Sequence, residues 1–492
     1  MPIPILKGIR VNCAHILLKK GAMRINTAKL RNMVQAEPKV DEKKRRSLKY
    51  STIEGAMYNV MAGLTDNYIN PFAIALGASN STIGLIRSIP PLLVSVAQPF
   101  ALRISALFRS RKQYIMAVVF LQAASLLLLV SIPHLFRENA ELMLLLFFSA
   151  YSILAPMGMP VWTSWMADLV PEGIRGRYFG HRNMVGGIAT FAAILFGGFL
   201  LAFFGKDVFL GFSLLYILAS IFRLLSFASF TRIEEPPARY SEGRLNVFGF
   251  LREVRNNEFG LFLFYYCLLI FSTAIAGFFF SVYMIRNLGF SYYTYAIIEG
   301  IYAIAMLAGN SYWGKVIDRF GNKLVLSVTG LMVPFVPLLW LMSGNPVILT
   351  FAEIFSGFAW AGMNLALFNY VIGFGSLKNK TAQYTANFNF FQGIAVFIGA
   401  IIGAFLVEGT AIHNLSGIPL VFMLSGILRL VAGIAFLPLI KEFKSVENFH
   451  GNALLNFGFY MPARNLAYNI HSIYSRTETF SKKAVRKIRY RI

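Results

Sequence analysis

The sequence predicts an all-α integral membrane protein, with twelve transmembrane helices in two pseudo-symmetric six-helix bundles. Three observations support this fold class. The composition is too apolar for a water-soluble chain, basic residues are concentrated in alternate loops, and the second half of the chain repeats the first. Together they indicate a chain that crosses a membrane many times.

The composition excludes an ordinary soluble protein. Of 492 residues, 57% are hydrophobic and only 14% are charged, whereas soluble domains carry about 25% charged residues. The mean hydropathy is +0.60. A transmembrane helix needs about 20 predominantly apolar residues to cross a hydrocarbon layer about 30 Å thick. The chain is long enough for a dozen such helices and two tails, and we expect no enzyme.

The formal charge of +24 would suggest a nucleic-acid partner in a soluble protein. Here the basic residues lie in two tails and in alternate loops, which is the pattern that membrane topology imposes. Membrane lipids are therefore expected as partners, and nucleic acid is not. The two cysteines, Cys13 and Cys267, do not have the spacing of a metal site or a disulfide framework. We expect no metal and no cofactor.

Apolar runs bounded by charged residues, Gly or Pro predict the twelve helices. They are expected at 51–76, 81–107, 113–133, 140–167, 178–204, 208–231, 259–285, 291–313, 323–343, 346–374, 384–408 and 417–440. Loops after even-numbered helices are rich in Arg and Lys, whereas the opposite loops hold only Arg137, Lys206 and Arg286. By the positive-inside rule, both termini are cytoplasmic in a multi-pass protein of the cell membrane.

The predicted helices and basic segments divide the chain into five parts. These are a basic cytoplasmic N-terminal tail at 1–50, a six-helix bundle at 51–231, a central cytoplasmic loop at 232–258, a second six-helix bundle at 259–440, and a basic cytoplasmic C-terminal tail at 441–492. The central loop contains an amphipathic segment at 245–254.

An internal repeat relates the two bundles. Residues 177–201 align with residues 383–407 at a shift of 206, and the same shift places Arg223 on Arg429. Near the start of each half, a shift of 212 superposes the LG-x-S segments, together with Arg87 and Glu299. A duplication in parallel orientation is typical of one class of secondary transporter.

Two parallel six-helix halves joined by a long cytoplasmic loop resemble the major facilitator superfamily. The loop between predicted helices 8 and 9 is similar to the G-x-x-x-D-R-x-G-R-K signature of that superfamily, through Gly314, Asp318, Arg319, Gly321 and Lys323. Asn322 replaces a basic residue, and Leu107 stands where Asp318 falls in the first half. The loop is a gating candidate, with a simple topological turn as the alternative.

The segment 166–178 is similar to the loop between helices 4 and 5 in the same superfamily. Asp168 and Arg175 are expected to pair there and are further gating candidates. Such a pair would orient helices more than stabilise them, since exposed ion pairs contribute about 0–1 kcal/mol.

The resemblance implies secondary transport of a small organic solute by alternating access, coupled to protons or sodium. We expect the chain to be monomeric. Efflux of amphipathic compounds is slightly favoured. The alternatives are a sugar or metabolite symporter, and a membrane sensor or scaffold that does not transport. The resemblance to the superfamily also implies that helices 1, 4, 7 and 10 line a central cavity.

Polar residues form a stripe on two of these helices. On predicted helix 1 they are Asn59, Gly63, Asp66, Asn67 and Asn70, and on predicted helix 10 they are Glu353, Gly357, Trp360 and Asn364. Both stripes follow helical spacing. A carboxylate inside a bilayer is costly and usually lines a cavity, forms a pair or carries a proton. Asp66 is therefore the first candidate for coupling and Glu353 the second, with a structural hydrogen bond as the alternative.

Four further charged residues lie within predicted helices. Arg87 and Glu299 are expected either to pair across the halves or to extend to the outer interface. Arg223 and Arg429 are expected to extend their guanidinium groups to the membrane surface.

Overall fold

The computed structural model describes residues 41–97, 100–171, 174–237, 247–255, 257–378, 380–409, 411–412 and 415–442. Within these ranges twelve helical segments, α1 to α12, follow one another along the chain. In the first half α1 is Glu42–Thr65 with Ile69–Ala75, α2 is Asn80–Ala97 with Ala101–Ser105, α3 is Arg111–Leu135, α4 is Ala140–Leu169, α5 is Arg175–Phe203 and α6 is Val208–Phe230.

The second half has the same order of segments. Here α7 is Glu258–Gly277 with Phe279–Val282, α8 is Tyr292–Phe320, α9 is Asn322–Met332 with Phe335–Met342, α10 is Pro346–Leu377, α11 is Thr381–Gly409 and α12 is Ile418–Phe436. A single π-turn, Tyr283–Asn287, follows α7. The fold class predicted from the sequence is confirmed.

Short polar side chains begin several helices, as expected for residues that bond an otherwise unpaired N-terminal N–H. Ser110, Asp207, Asn257 and Ser291 each accept a hydrogen bond from a backbone N–H in the first turn of α3, α6, α7 and α8. The turns after α1 and α7 contain Gly77 at φ 84° and Gly289 at φ 65°. Only glycine adopts this conformation easily, so the repeated LG-x-S segments mark equivalent turns.

Nine segments of the described chain, α3 to α7 and α9 to α12, are long and apolar enough to cross a membrane. The other three, α1, α2 and α8, contain more polar residues. They carry Asp66, Arg87 and Glu299 respectively. Ionisable groups inside the bundle are not confined to these three segments, since α10 carries Glu353 and α12 carries Arg429.

The two halves meet along pairs of segments that the repeat relates. The α2 segment packs against α11, and α5 packs against α8. At Gly84 an added Cβ would overlap the Ala404 side chain, and at Gly198 it would overlap the Ala296 side chain. Glycine is therefore needed at both points, because small residues let helices approach closely in a membrane.

Some boundaries differ from the prediction. The α1 segment begins at Glu42 rather than residue 51, because its basic first turns lie outside the apolar run that hydropathy detects. The amphipathic segment forms the linker helix Val247–Val254, with Phe250 and Val254 buried. Between α11 and α12, Ala411–Ile412 pairs with Leu415–Ser416 as two short antiparallel strands.

Candidate functional site

The α1 segment is broken between Thr65 and Ile69, and the sequence explains the break. Pro71 has no N–H, so it cannot bond to the carbonyl of Asn67 four residues before it. The Tyr295 hydroxyl of α8 donates to that carbonyl instead, at 2.6 Å. Arg87 of α2 donates to the neighbouring carbonyl of Asp66, at 2.9 Å. Side chains from two other segments thus satisfy the freed backbone groups.

The Asp66 carboxylate lies at this break. The residue is exposed to solvent. Its Oδ1 accepts a hydrogen bond from the Tyr151 hydroxyl of α4, at 3.1 Å. Arg87 donates to the backbone carbonyl of the same residue. Asp66 is therefore a carboxylate held at a helix break, next to a fixed positive charge.

Asn70 connects this region to the second half. Its Oδ1 accepts from Arg87 Nε at 2.6 Å, and its Nδ2 donates to Ser281 Oγ at 2.7 Å and to the Phe278 carbonyl at 3.1 Å. Both acceptors belong to the α7 region. Arg87 and Asn70 thus form a chain of hydrogen bonds from α2, through α1, to the other half.

Further contacts join the halves at the end of the bundle opposite the basic loops. Arg286 donates to Asn80 Oδ1 at 2.7 Å and to the Ala78 carbonyl at 2.6 Å. The backbone N–H of Ser81 donates to Glu408 Oε1 at 2.8 Å. These contacts close the bundle on that side.

Two adjoining cavities lie inside the bundle. The first, of about 380 Å³, is lined by Arg87, Phe148, Ser152, Asn389 and Gln392 among others. The second, of about 340 Å³, is lined by Glu299, Tyr302, Glu353, Ser356, Trp360 and Arg429 among others. Phe278, Gln392 and Val396 line both. Cavities of this size suit a small molecule.

The predicted polar stripes are only partly brought together. Asp66 and Asn70 meet Arg87, as described above. Asn59 donates to Gly55 O at 2.7 Å and accepts from Thr190 Oγ1 of α5 at 3.2 Å, so its amide joins two helices of the first half. The Asn67 side chain bonds back to Gly63 O of its own helix, at 3.4 Å.

On α10, Glu353 and Trp360 both line the second cavity. Glu353 Oε1 accepts from Trp340 Nε1 at 3.1 Å. Asn364 is exposed, one turn beyond Trp360, and neither of the two cavities described above includes it.

The gating candidates of the second half lie where α8 ends and α9 begins. Gly321, at φ 85°, ends α8, and Asp318 and Arg319 are exposed in its last turn, after Gly314. The backbone N–H of Lys323 donates to Glu442 Oε2 at 2.7 Å. The carboxylate at the start of α9 thus comes from the segment after α12.

The first half repeats this arrangement. The backbone N–H of Arg111 donates to Glu235 Oε1 at 2.8 Å, and that of Lys112 to Glu235 Oε2 at 3.3 Å. In each half, a glutamate beyond the sixth segment lies at the N-terminus of the third, where the helix dipole favours negative charge. This relation was not predicted from the sequence, although Glu235 and Glu442 follow their sixth segments at nearly equal distances.

Asp168 forms an ion pair with Arg111 of α3. Its Oδ2 accepts from Arg111 NH1 at 2.7 Å. The side chain of Arg175, the expected partner, lies outside the described residues.

The expectation that Arg223 and Arg429 reach the membrane surface is wrong, since they are only 4% and 1% exposed. Arg87 also points inward. Hydropathy gives the depth of a residue but not the face of the helix it occupies, and all three guanidinium groups lie on inner faces.

Arg223 NH1 lies 3.9 Å from Glu54 Oε1, and Arg182 NH2 lies 2.9 Å from Glu54 Oε2. This buried ion cluster was not predicted from the sequence.

Comparisons with known proteins agree with this geometry. The family model described as Major Facilitator Superfamily matches residues 56–400 and 262–454, in two overlapping alignments. No curated protein sequence matches the chain significantly.

Solved structures share its fold at low sequence identity. A nucleoside transporter, NupG in a mutant form, is 16% identical with a TM-score of 0.65, covering 80% of this chain and 100% of its own. The xylose transporter XylE from E. coli is 13% identical with a TM-score of 0.62, covering 83% and 100%. A bacterial homologue of the human lysosomal transporter Spinster is 13% identical with a TM-score of 0.59, covering 82% and 100%.

Proposed function

The chain belongs to the major facilitator superfamily and is a multi-pass membrane transporter, and we propose that it moves a small polar organic solute together with a proton. The observation that carries this proposal is the position of Asp66. A titratable group lies at a helix break, beside an arginine whose hydrogen bonds continue to the other half of the protein.

The contacts suggest how a proton would be coupled to movement of the halves. Protonation of Asp66 removes a negative charge next to Arg87. Arg87 also holds Asn70, which bonds to Ser281 of the second half. A change of charge at Asp66 therefore acts on the interface between the halves. A ligand or proton shifts an equilibrium between two conformations when it binds one of them more strongly.

Both cavities offer hydrogen bonds to a solute within linings that are otherwise mostly apolar. Ser152, Asn389 and Gln392 offer hydrogen bonds in the first cavity, and Glu353 and Ser356 do so in the second. Among proteins of similar fold, two are named a nucleoside transporter and a D-xylose–proton symporter. These observations support the sugar or metabolite symporter over efflux of amphipathic compounds.

We also propose that the protein lies in the cell membrane with both termini in the cytoplasm, from the placement of its basic loops. With that orientation, the contacts of Arg286 and Ser81 close the outer side. The solute would then reach the cavities from the cytoplasm in this conformation.

Flux in proteoliposomes tests the proposal. Vesicles with a pH-sensitive dye inside receive uridine, D-xylose or a mixture of polar metabolites on the outside. We expect solute-dependent acidification of the lumen that requires the protein. Solute entry without proton entry would contradict coupling. A protein that binds solutes without moving any would support the sensor or scaffold.

A further inference from the structure

Arg429 is a buried arginine whose donors are largely unused. It lies on α12 with 1% of its surface exposed. NH1 donates to the Val333 carbonyl at 3.3 Å and NH2 to the Thr273 carbonyl at 3.5 Å, while Nε has no partner. A guanidinium has five N–H donors. Two are used here, in bonds longer than the usual 2.9–3.0 Å.

Its repeat counterpart, Arg223, likewise has an Nε without a partner, but it has a carboxylate beside it. Arg223 lies 3.9 Å from the carboxylate of Glu54 and donates to Ser226 Oγ at 3.1 Å. Across the described ranges, no carboxylate forms an ion pair with Arg429. A buried charge normally needs a counter-ion. In the first half this counter-ion is Glu54. In the described part of the second half, no carboxylate takes the equivalent place beside Arg429.

The space next to Arg429 can hold a ligand. Arg429 lines the cavity of about 340 Å³ together with Thr273, Tyr302, Ser356 and Trp360. A guanidinium binds carboxylates and phosphates through paired, charge-assisted hydrogen bonds. We propose that Arg429 binds the carboxylate or phosphate of an anionic organic solute, whose remaining part contacts the aromatic side chains. This inference rests on the proposed function and narrows its solute class to anions.

Two carboxylates line the same cavity. The titratable and charged groups that line the two cavities are Arg87, Glu299, Tyr302, Glu353 and Arg429. An ionised Glu299 or Glu353 repels an anion, whereas the protonated form is neutral and donates a hydrogen bond. Uptake of protons with the anion keeps the cavity near neutrality. The site therefore fits a solute that enters as an acid with its proton.

Matched pairs of probes test the anion site in the purified full-length protein. Each pair differs in charge at similar size: benzoate with benzamide, and phenyl phosphate with phenol. Binding to the native state raises apparent thermal stability. We expect one acid to stabilise the wild type at a concentration at least tenfold lower than its neutral partner needs for the same effect. The pair that shows this difference tells whether the site recognises a carboxylate or a phosphate. A wild-type protein that prefers no acid overturns the inference.

Variants assign that preference to Arg429. We expect Arg429→Gln to lose it and Arg429→Lys, which keeps the charge, to retain part of it. Arg223→Gln is the matched control, because it removes a buried arginine that has its own carboxylate partner, and it should keep the full preference. Glu353→Gln should strengthen acid binding. An unchanged preference in a folded Arg429→Gln protein contradicts the inference.

If Arg429→Gln does not fold, Arg223→Gln and Glu353→Gln decide. Loss of the preference in Arg223→Gln, or weaker acid binding in Glu353→Gln, overturns the assignment. The flux assay separates failure of the anion site from failure of the proposed function. Proton-coupled flux of neutral solutes, with no preference for acids, would refute only the anion site. Binding of acids without any flux would refute only transport.

Discussion

Arg87 Nε and Asn70 Oδ1 lie 2.6 Å apart, and this bond fixes the orientation of the Asn70 amide. Because the oxygen accepts from the guanidinium, the amide nitrogen faces α7 and donates to Ser281 and Phe278. A charge on α2 is thereby linked to the interface between the halves.

Asn70→Ala removes this link. We expect the contact between α1 and α7 to weaken and the end opposite the basic loops to open more often. Leaving buried donors without partners costs about 1–3 kcal/mol. A cysteine introduced at Ala78, which is buried where the halves meet, should react faster with a membrane-impermeant thiol reagent. Asn59→Ala is the control, because its amide bonds only within the first half, and equal rates in both variants would argue against the link.

Pro71→Ala tests the origin of the break in α1. The new N–H can bond to the Asn67 carbonyl, so the helix becomes more continuous and Tyr295 loses its acceptor. We expect a higher melting temperature and lower transport. Pro133→Ala, in the last turn of α3, is the control with little expected effect on transport. Normal transport in Pro71→Ala would show that the break is not needed.

Glu235→Gln tests the carboxylate at the start of α3. We expect a loss of about 0.5–2 kcal/mol of stability, because the dipole and the N-terminal N–H groups lose a negative partner. Glu442→Gln should act likewise at α9. Glu234→Gln is the control, since Glu234 bonds Ser47 and Trp165 through its backbone alone. Thermal unfolding at low ionic strength measures all three, and equal melting temperatures would contradict the assignment.

Attachment of the linker helix should depend on pH. Glu253 accepts from Lys380 at 2.8 Å and from Tyr384 at 3.2 Å, and the Lys380 hydrogen bond lowers the pKa of Glu253 below its usual value of 4.5. A lowered pKa stabilises the folded form above pH 4.5, and this contribution is lost as pH falls through the folded-state pKa. Protease sensitivity of the linker should rise only below pH 4.5. A Glu253→Gln variant should be sensitive at every pH, and a rise near neutral pH would exclude Glu253 as the cause.

Much of the fold follows from the sequence, because apolar length, basic loops and the repeat each report on crossing a membrane. The gating role of Asp318, the five-part organisation and the topology remain predictions. The inward direction of Arg429 was not predictable, since it depends on how α12 rotates against its neighbours. The break in α1 was readable in Pro71, whose missing N–H frees a carbonyl.

We propose that Asp66 carries the coupling proton, and the Asp66→Asn variant tests this role. Asparagine nearly keeps the shape and accepts from Tyr151, but it cannot take up a proton. In proteoliposomes with an imposed pH gradient, the variant should lose uphill accumulation of the solute that moves protons in the wild type, and should keep downhill exchange. Asp207→Asn, which preserves a helix cap remote from the cavities, should accumulate normally. If Asp66→Asn still accumulates solute against its gradient, driven by protons or sodium, Asp66 does not carry the coupling proton. Glu353 is then the next carboxylate to test.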